Sequence, residues 1–162
     1  MADPSLTRSG PQPALDRAGY RTLADFRYLI RRFLEFSQAA AGDAGLTPRQ
    51  HQALLAIKGF AAQGLAAKGF AAQPGPTVGE LAERLCIRHH SAVELVDRLV
   101  EAGLCRRAHD LEDRRRVMLC LTELAESRLA RLSAIHLAEL RSLRPALLDI
   151  LDQLDAPSEP AP

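Results

Sequence analysis

The chain has 162 residues and a formal net charge of +1; 47% of it is apolar and Trp is absent. That length suits one compact unit, the near-zero charge excludes polyanion recognition by bulk electrostatics alone, and the core must be built of Leu, Ala, Ile and Val, as in a helical protein. Cys86, Cys105 and Cys120 lack C-x-x-C spacing, and no apolar run reaches the roughly 18 residues of a membrane span, so the expectation is a cytoplasmic protein with no zinc site and no membrane partner.

In chain order, residues 1–18 are rich in Pro, Gly and Ser and 156–162 contain three Pro, so both are expected to be disordered tails around a single domain over 19–155. Leu23, Phe26, Ile30 and Phe33 form one apolar stripe opposite Arg27, Arg31 and Arg32, which predicts a first helix ending near Gly42. Thr47, Pro48 and Gln50 make a strong start signal for a second, because side-chain oxygens there satisfy backbone N–H groups that have no partner within the helix. The segment that follows repeats KGFAAQ at 58–63 and 68–73; its glycines weaken a helical reading and its alanines favour one, leaving both a helix extension and a loop open. Thr77 and Glu80 form a capping box for a third, two-turn helix that turns Leu81, Ala82 and Leu85 inward. After a turn at Cys86 and Ile87, a fourth places Val93, Leu95, Val96, Leu99 and Val100 at helical spacing and stops at Gly103. Two short helices joined in this way predict a helix-turn-helix.

Val117, Leu119 and Leu121 then alternate with less apolar neighbours, and the polar run Asp110–Arg115 separates them from Leu104–Arg107: a β-hairpin. Leu129, Leu132, His136, Leu140, Leu143, Leu147, Leu151 and Leu154 close the chain with helical periodicity, and Pro145 fits either a kink or the first turn of a new helix. The terminal helical regions, 19–46 and 123–155, are too apolar to stand alone and are expected to pair with each other and with those of a second subunit, around a winged unit at 47–122 with a duplicated insert at 58–73.

The run LAERLCIRHHSAVELVDRLVEAGL (Leu81–Leu104) followed by DLEDRRRVMLCLT (Asp110–Thr122) resembles the helix-turn-helix and wing of the MarR family of bacterial transcription factors. The resemblance implies a mainly α fold: a winged helix-turn-helix with a two-stranded β-hairpin wing and a helical dimerisation region from the N- and C-terminal helices. It also implies a homodimeric repressor of a palindromic operator on double-stranded DNA, released by a small aromatic or phenolic effector bound between dimer core and lobes.

A major groove about 12 Å wide admits one helix, N-terminal residues foremost. Arg88, His89, His90 and Ser91 occupy that end, and Arg98 and Arg107 flank it. Arg114, Arg115 and Arg116 cluster at the hairpin tip, where arginine suits a narrow, negative minor groove. By the family pattern Asp113 pairs with one of these arginines to shape the wing, with Arg115 the structural partner and Arg114 at the groove. Arg27, Arg49 and His51 are the positional candidates for an effector site.

This sequence departs from the family at Cys86, where Gly is frequent, near Arg88, where Ser or Thr is, and at Glu94, where a basic or polar residue is frequent and whose carboxylate repels phosphate. Two other readings stand beside the main one: a helical interaction module that never meets DNA, and a redox-sensing regulator acting through Cys86, between Arg84 and Arg88. Adjacent His89 and His90 point about 100° apart on a helix and so do not form a metal site; His51, His109 and His136 are isolated, and His136 falls on an apolar stripe. No nucleophile elbow, phosphate-cradling loop or H-E-x-x-H pattern occurs, so neither an enzyme nor a cofactor is expected.

Overall fold

A computed structural model describes residues 16–68, 75–110 and 113–155. The elements are α1 (Arg17–Asp43), α2 (Pro48–Lys68), α3 (Val78–Arg84), α4 (His89–Glu101), β1 (Cys105–His109), β2 (Val117–Leu121) and α5 (Glu123–Asp155). The strands pair antiparallel, Cys105 opposite Leu121 and His109 opposite Val117, so the fold is mainly helical with one hairpin, as expected.

The helix starts follow local chemistry. Asp16 accepts from the Gly19 N–H at 2.7 Å and opens α1 at Arg17, inside the stretch expected to be a tail. A carboxylate at an N-cap both satisfies an orphan donor and complements the helix dipole, which is why the helix runs ahead of its apolar stripe. Thr47 and Gln50 exchange bonds of 2.9 and 3.2 Å at the head of α2. Thr77 and Glu80 do the same for α3, at 2.7 and 3.3 Å. Of the two readings left open for the insert, α2 takes the helical one as far as Lys68. Beyond Lys68, the second KGFAAQ copy lies outside the described residues. The helix α5 is continuous through Pro145, whose missing N–H removes one ladder bond while Leu143 and Ile150 hold the helix by burial.

Two separate apolar cores result. The larger gathers Ala53, Leu54 and Ile57 of α2, Leu81 of α3, Leu95, Val96 and Leu99 of α4, Leu119 of β2, and Ala125, Leu129 and Leu132 of α5. The smaller joins Leu29 of α1 to Leu143 and Ile150 of α5, with Phe33 and Leu147 against it. The first is the core of a helix-turn-helix lobe and the second that of an antiparallel α1–α5 scaffold. On α4 the buried stripe is Ala92, Leu95, Val96 and Leu99; Val93, expected inside, is half-buried and Val100 is exposed, because the i, i+3, i+4, i+7 set that faces the core starts one residue earlier.

The chain enters α3 alongside the wing. Pro76 O accepts from the Leu119 N–H at 2.9 Å, so the segment after the insert lies against β2 as a third edge. Gly75 permits this approach, since a Cβ built there would lie 2.1 Å from the carbonyl oxygen of Leu119. On the scaffold, Leu23, Phe26, Ile30 and Leu34 of α1 and Leu137, Leu140, Leu148 and Leu151 of α5 are exposed. Each set follows helical spacing beside the buried face of its helix, a pattern that asks for a covering partner. Among the described residues no helix is long and apolar enough to cross a membrane.

Candidate nucleic-acid interface

The lobe core turns the N-terminal end of α4 outward. Arg88 is its N-cap in extended conformation, with no side-chain hydrogen bond to the cap, and no acidic residue stands in the first turn. The N–H groups of that turn therefore combine with exposed Arg88, His89 and His90 and half-buried Ser91 into a cluster of donors under a positive helix end. Such a cluster binds phosphate oxygens and base-edge acceptors. Cys86, in the turn that sets this helix, has φ +52°, a left-handed conformation that glycine adopts without strain.

The flanking arginines are already engaged. Arg98 meets Glu94 one turn back, Nη2 to carboxylate 3.7 Å and Nε to its carbonyl 3.2 Å, so the carboxylate that threatens a phosphate contact is partly neutralised by its own helix. Arg107 of β1 holds Asp97 of α4 at 2.6 Å and fixes the wing's angle to the helix. For these two a structural duty is visible, and any DNA contact would compete with it.

At the wing tip the roles differ from those the resemblance implied. The Asp113 carboxylate accepts from the backbone N–H of Arg115 at 3.0 Å, and its carbonyl accepts from the Arg116 N–H at 2.9 Å. Asp113 thus shapes the turn through the backbone instead of pairing with the Arg115 guanidinium. The guanidinium held in ion pairs is that of Arg116, 3.4 Å from Glu80 of α3 and 3.9 Å from Asp110. Arg114 and Arg115 are exposed, and among the described residues neither has an acidic partner; the Arg114 carbonyl lies 3.0 Å from His109 Nδ1. Glu80 is the functional residue that sequence reasoning missed. It caps α3 with one carboxylate oxygen and tethers the wing with the other, and its capping role concealed a contact made 36 residues away.

Among the described residues no hydrogen bond or ion pair joins the three positional candidates for an effector site, Arg27, Arg49 and His51. Arg27 and Arg49 are exposed on α1 and α2, whereas His51 is buried with its ring centroid 4.7 Å from that of His136. Burial, then the neighbouring His136 charge, pushes the His51 pKa below its ordinary value. An open cleft of about 380 Å³ lies instead between the outer face of α2 and the end of α3, where Leu55, Phe60 and Leu85 meet Gln52 and Arg84. Of the cysteines, Cys86 is exposed and Cys105 is buried, and burial pushes the Cys105 thiol up and away from the reactive thiolate.

A helix-turn-helix whose second helix presents an open, donor-rich N-terminus beside a two-stranded arginine-bearing wing defines a winged helix-turn-helix protein. Residues 71–117, spanning the approach to α3, both helices and the wing tip, match the MarR family model. Among solved structures the chain is similar to the transcriptional repressor CouR bound to a 23-mer DNA duplex, at 27% identity, with 81% of this chain and 89% of that one covered and a TM-score of 0.56. It is also similar to AbsC, a MarR family transcriptional regulator from Streptomyces coelicolor (18% identity, 89% and 91% covered, TM-score 0.62). A substituted form of MepR from S. aureus gives 18% identity, 84% and 98% coverage and a TM-score of 0.62. No curated protein matches by sequence. The winged segment, residues 71–117, is thus similar to the MarR family.

Proposed function

We propose that the protein is a sequence-specific DNA-binding transcriptional regulator that acts as a homodimer on a palindromic operator, represses by occupying the promoter, and is released by a small anionic aromatic effector. The observation that carries the reading is the exposed set Arg88, His89 and His90 at the open end of α4, flanked by Arg114 and Arg115 on the wing and free of acidic partners among the described residues. In this reading α4 enters the major groove and Arg114 the adjacent minor groove, while Arg116 stays with Glu80 and Asp110 as the brace of the wing.

The dimer rests on the exposed apolar bands of α1 and α5, which a second copy related by a two-fold axis covers isologously. Two lobes then reach half-sites about 34 Å apart, one turn of DNA. The effector reading rests on the separation of lobe core and scaffold core, since a ligand acts by preferring one spacing of the two bodies over another. CouR, bound to DNA and named a repressor, is the relative that supports the direction of regulation.

The test is selection from randomised duplex DNA at fixed salt with the full chain, Arg88→Ala and Arg114→Ala. Enrichment of a palindrome by the chain, weakened in both variants, is the expected result. A dimer by ultracentrifugation that enriches no sequence would instead identify a protein-interaction module.

A further inference from the structure

His51 and His136 are 85 residues apart in sequence, and the fold sets their ring centroids 4.7 Å apart, tilted at 44°, between three helices. His51 of α2 and His136 of α5 are 4% and 9% exposed. His136 Nδ1 donates to the Leu132 carbonyl at 2.7 Å, and Nε2 lies 2.8 Å from the Ser37 hydroxyl of α1. Phe33 and Phe36 of α1 close the site edge-on, with ring centroids 5.9 and 5.7 Å from that of His136. The Leu132 carbonyl can only accept, so Nδ1 is the donor in that bond.

The position of the pair matters as much as its chemistry. Along α5, Leu132 belongs to the lobe core and Leu143 to the scaffold core, and His136 stands between them. His51 stands on α2, which packs on α1 and α5 with one side and on α3, α4 and β2 with others. The pair is thus a polar break at the seam between the two apolar bodies. Neighbouring charges give little help to a cation there. On α5 the nearest is Glu139, three residues beyond His136 and committed to Arg32 of α1 at 3.8 Å. The contacts made by α1 are those of Phe33, Phe36 and Ser37, and on α2 the nearest charged residue in sequence is exposed Arg49, which opposes a second positive charge.

We propose that the His51–His136 pair is a proton-operated joint: taking up a proton forces the seam between α2 and the α1–α5 scaffold to open and lowers affinity for DNA. An imidazolium in this site faces a second imidazole at stacking distance and a low-polarity wall, and it reaches water only if α2 moves off the scaffold. Because α2 packs directly on α3 and α4, its displacement carries the recognition helix and changes the spacing of the two lobes. The depressed pKa of His51 agrees with a site that resists the proton while closed.

This inference rests on the DNA-binding reading for its output but not for its joint. Two measurements on the full chain separate the two. The first is imidazole titration by NMR from pH 8 to 5, with the backbone amides of α2 followed in the same spectra. The joint requires that Ala53 and Leu54 shift with the midpoint of the histidine pair, and amides indifferent to that midpoint overturn it. The second is the dissociation constant on selected DNA at pH 7.5 and 5.5, for the chain and for His51→Gln, with His136→Gln as a second variant should the first fold poorly. Affinity is expected to fall on acidification about tenfold more in the parent than in either variant. Exposed His89 and His90 act equally in all three proteins and cancel in the comparison. Equal pH dependence in parent and variants overturns the coupling; absence of binding at both pH values overturns the DNA reading and leaves the NMR titration to decide the joint.

Discussion

Gly75→Ala tests how the wing is anchored. The added Cβ would lie 2.1 Å from the Leu119 carbonyl oxygen, 3.3 Å from its carbon and 3.2 Å from Cγ2 of Ile57, so two of the three obstacles are backbone. Restoring an ordinary contact means separating the segment from β2 by roughly 1 Å, which stretches the 2.9 Å bond from Leu119 N to Pro76 O beyond hydrogen-bonding range. Leu119 is fully buried, so its N–H finds no water in exchange, and the orphaned donor costs about 1–3 kcal/mol. Displacing Ile57 and Leu119 within the lobe core adds a packing loss of similar order, about 1–3 kcal/mol. The sum is a destabilisation of about 2–6 kcal/mol, and because β2 carries the wing, DNA affinity falls with it. Urea denaturation of parent and variant, monitored by far-UV circular dichroism, reads the first quantity. A variant within about 0.5 kcal/mol of the parent would show that the segment yields without cost and refute the close-packing argument.

Cys86→Gly should stabilise the protein by about 0.5–1 kcal/mol in the same assay, because φ +52° strains a residue bearing a Cβ by more than glycine's added chain entropy costs. Arg114→Ala is expected to reduce the slope of log affinity against log salt by about 1 with little effect on stability, whereas Arg116→Ala weakens binding by loosening the wing and leaves the slope nearly unchanged. Deleting residues 58–67 rejoins Ile57 to an identical KGFAAQ, with Lys68 in the place of the Lys58 that pairs with Glu126 at 2.8 Å. Since Gly75 returns beside Ile57, stability should change by less than about 1 kcal/mol, and a larger thermal-denaturation difference would assign the insert a structural role. Finally, His51 binds its proton less readily folded than unfolded, so the unfolded state holds more protons below about pH 6.5 and stability is lost as pH falls from there towards the folded value. The slope reaches at most about 1.4 kcal/mol per pH unit, and His51→Gln should remove it from a urea-midpoint profile.

Local chemistry made the fold legible in the sequence. The caps at Thr47 and Thr77, the α4 stripe and the alternation of Val117, Leu119 and Leu121 are each written within a few residues, where side chain and backbone meet whatever the rest of the chain does. The exposed N-terminal end of α4 was legible for the same reason, since helical phase alone directs Arg88–His90 away from the core. What the sequence by itself could not determine are the long-range partnerships: which arginine of the run Arg114–Arg116 is tied down, that Glu80 reaches the wing, and that two seemingly isolated histidines share one buried seam. Adjacent arginines are chemically alike until strand register and the approach of α3 set one of them beside two carboxylates. Histidines 85 residues apart become neighbours only when α2 docks in the angle of α1 and α5, so only tertiary structure could decide whether they are solvated side chains or a coupled pair.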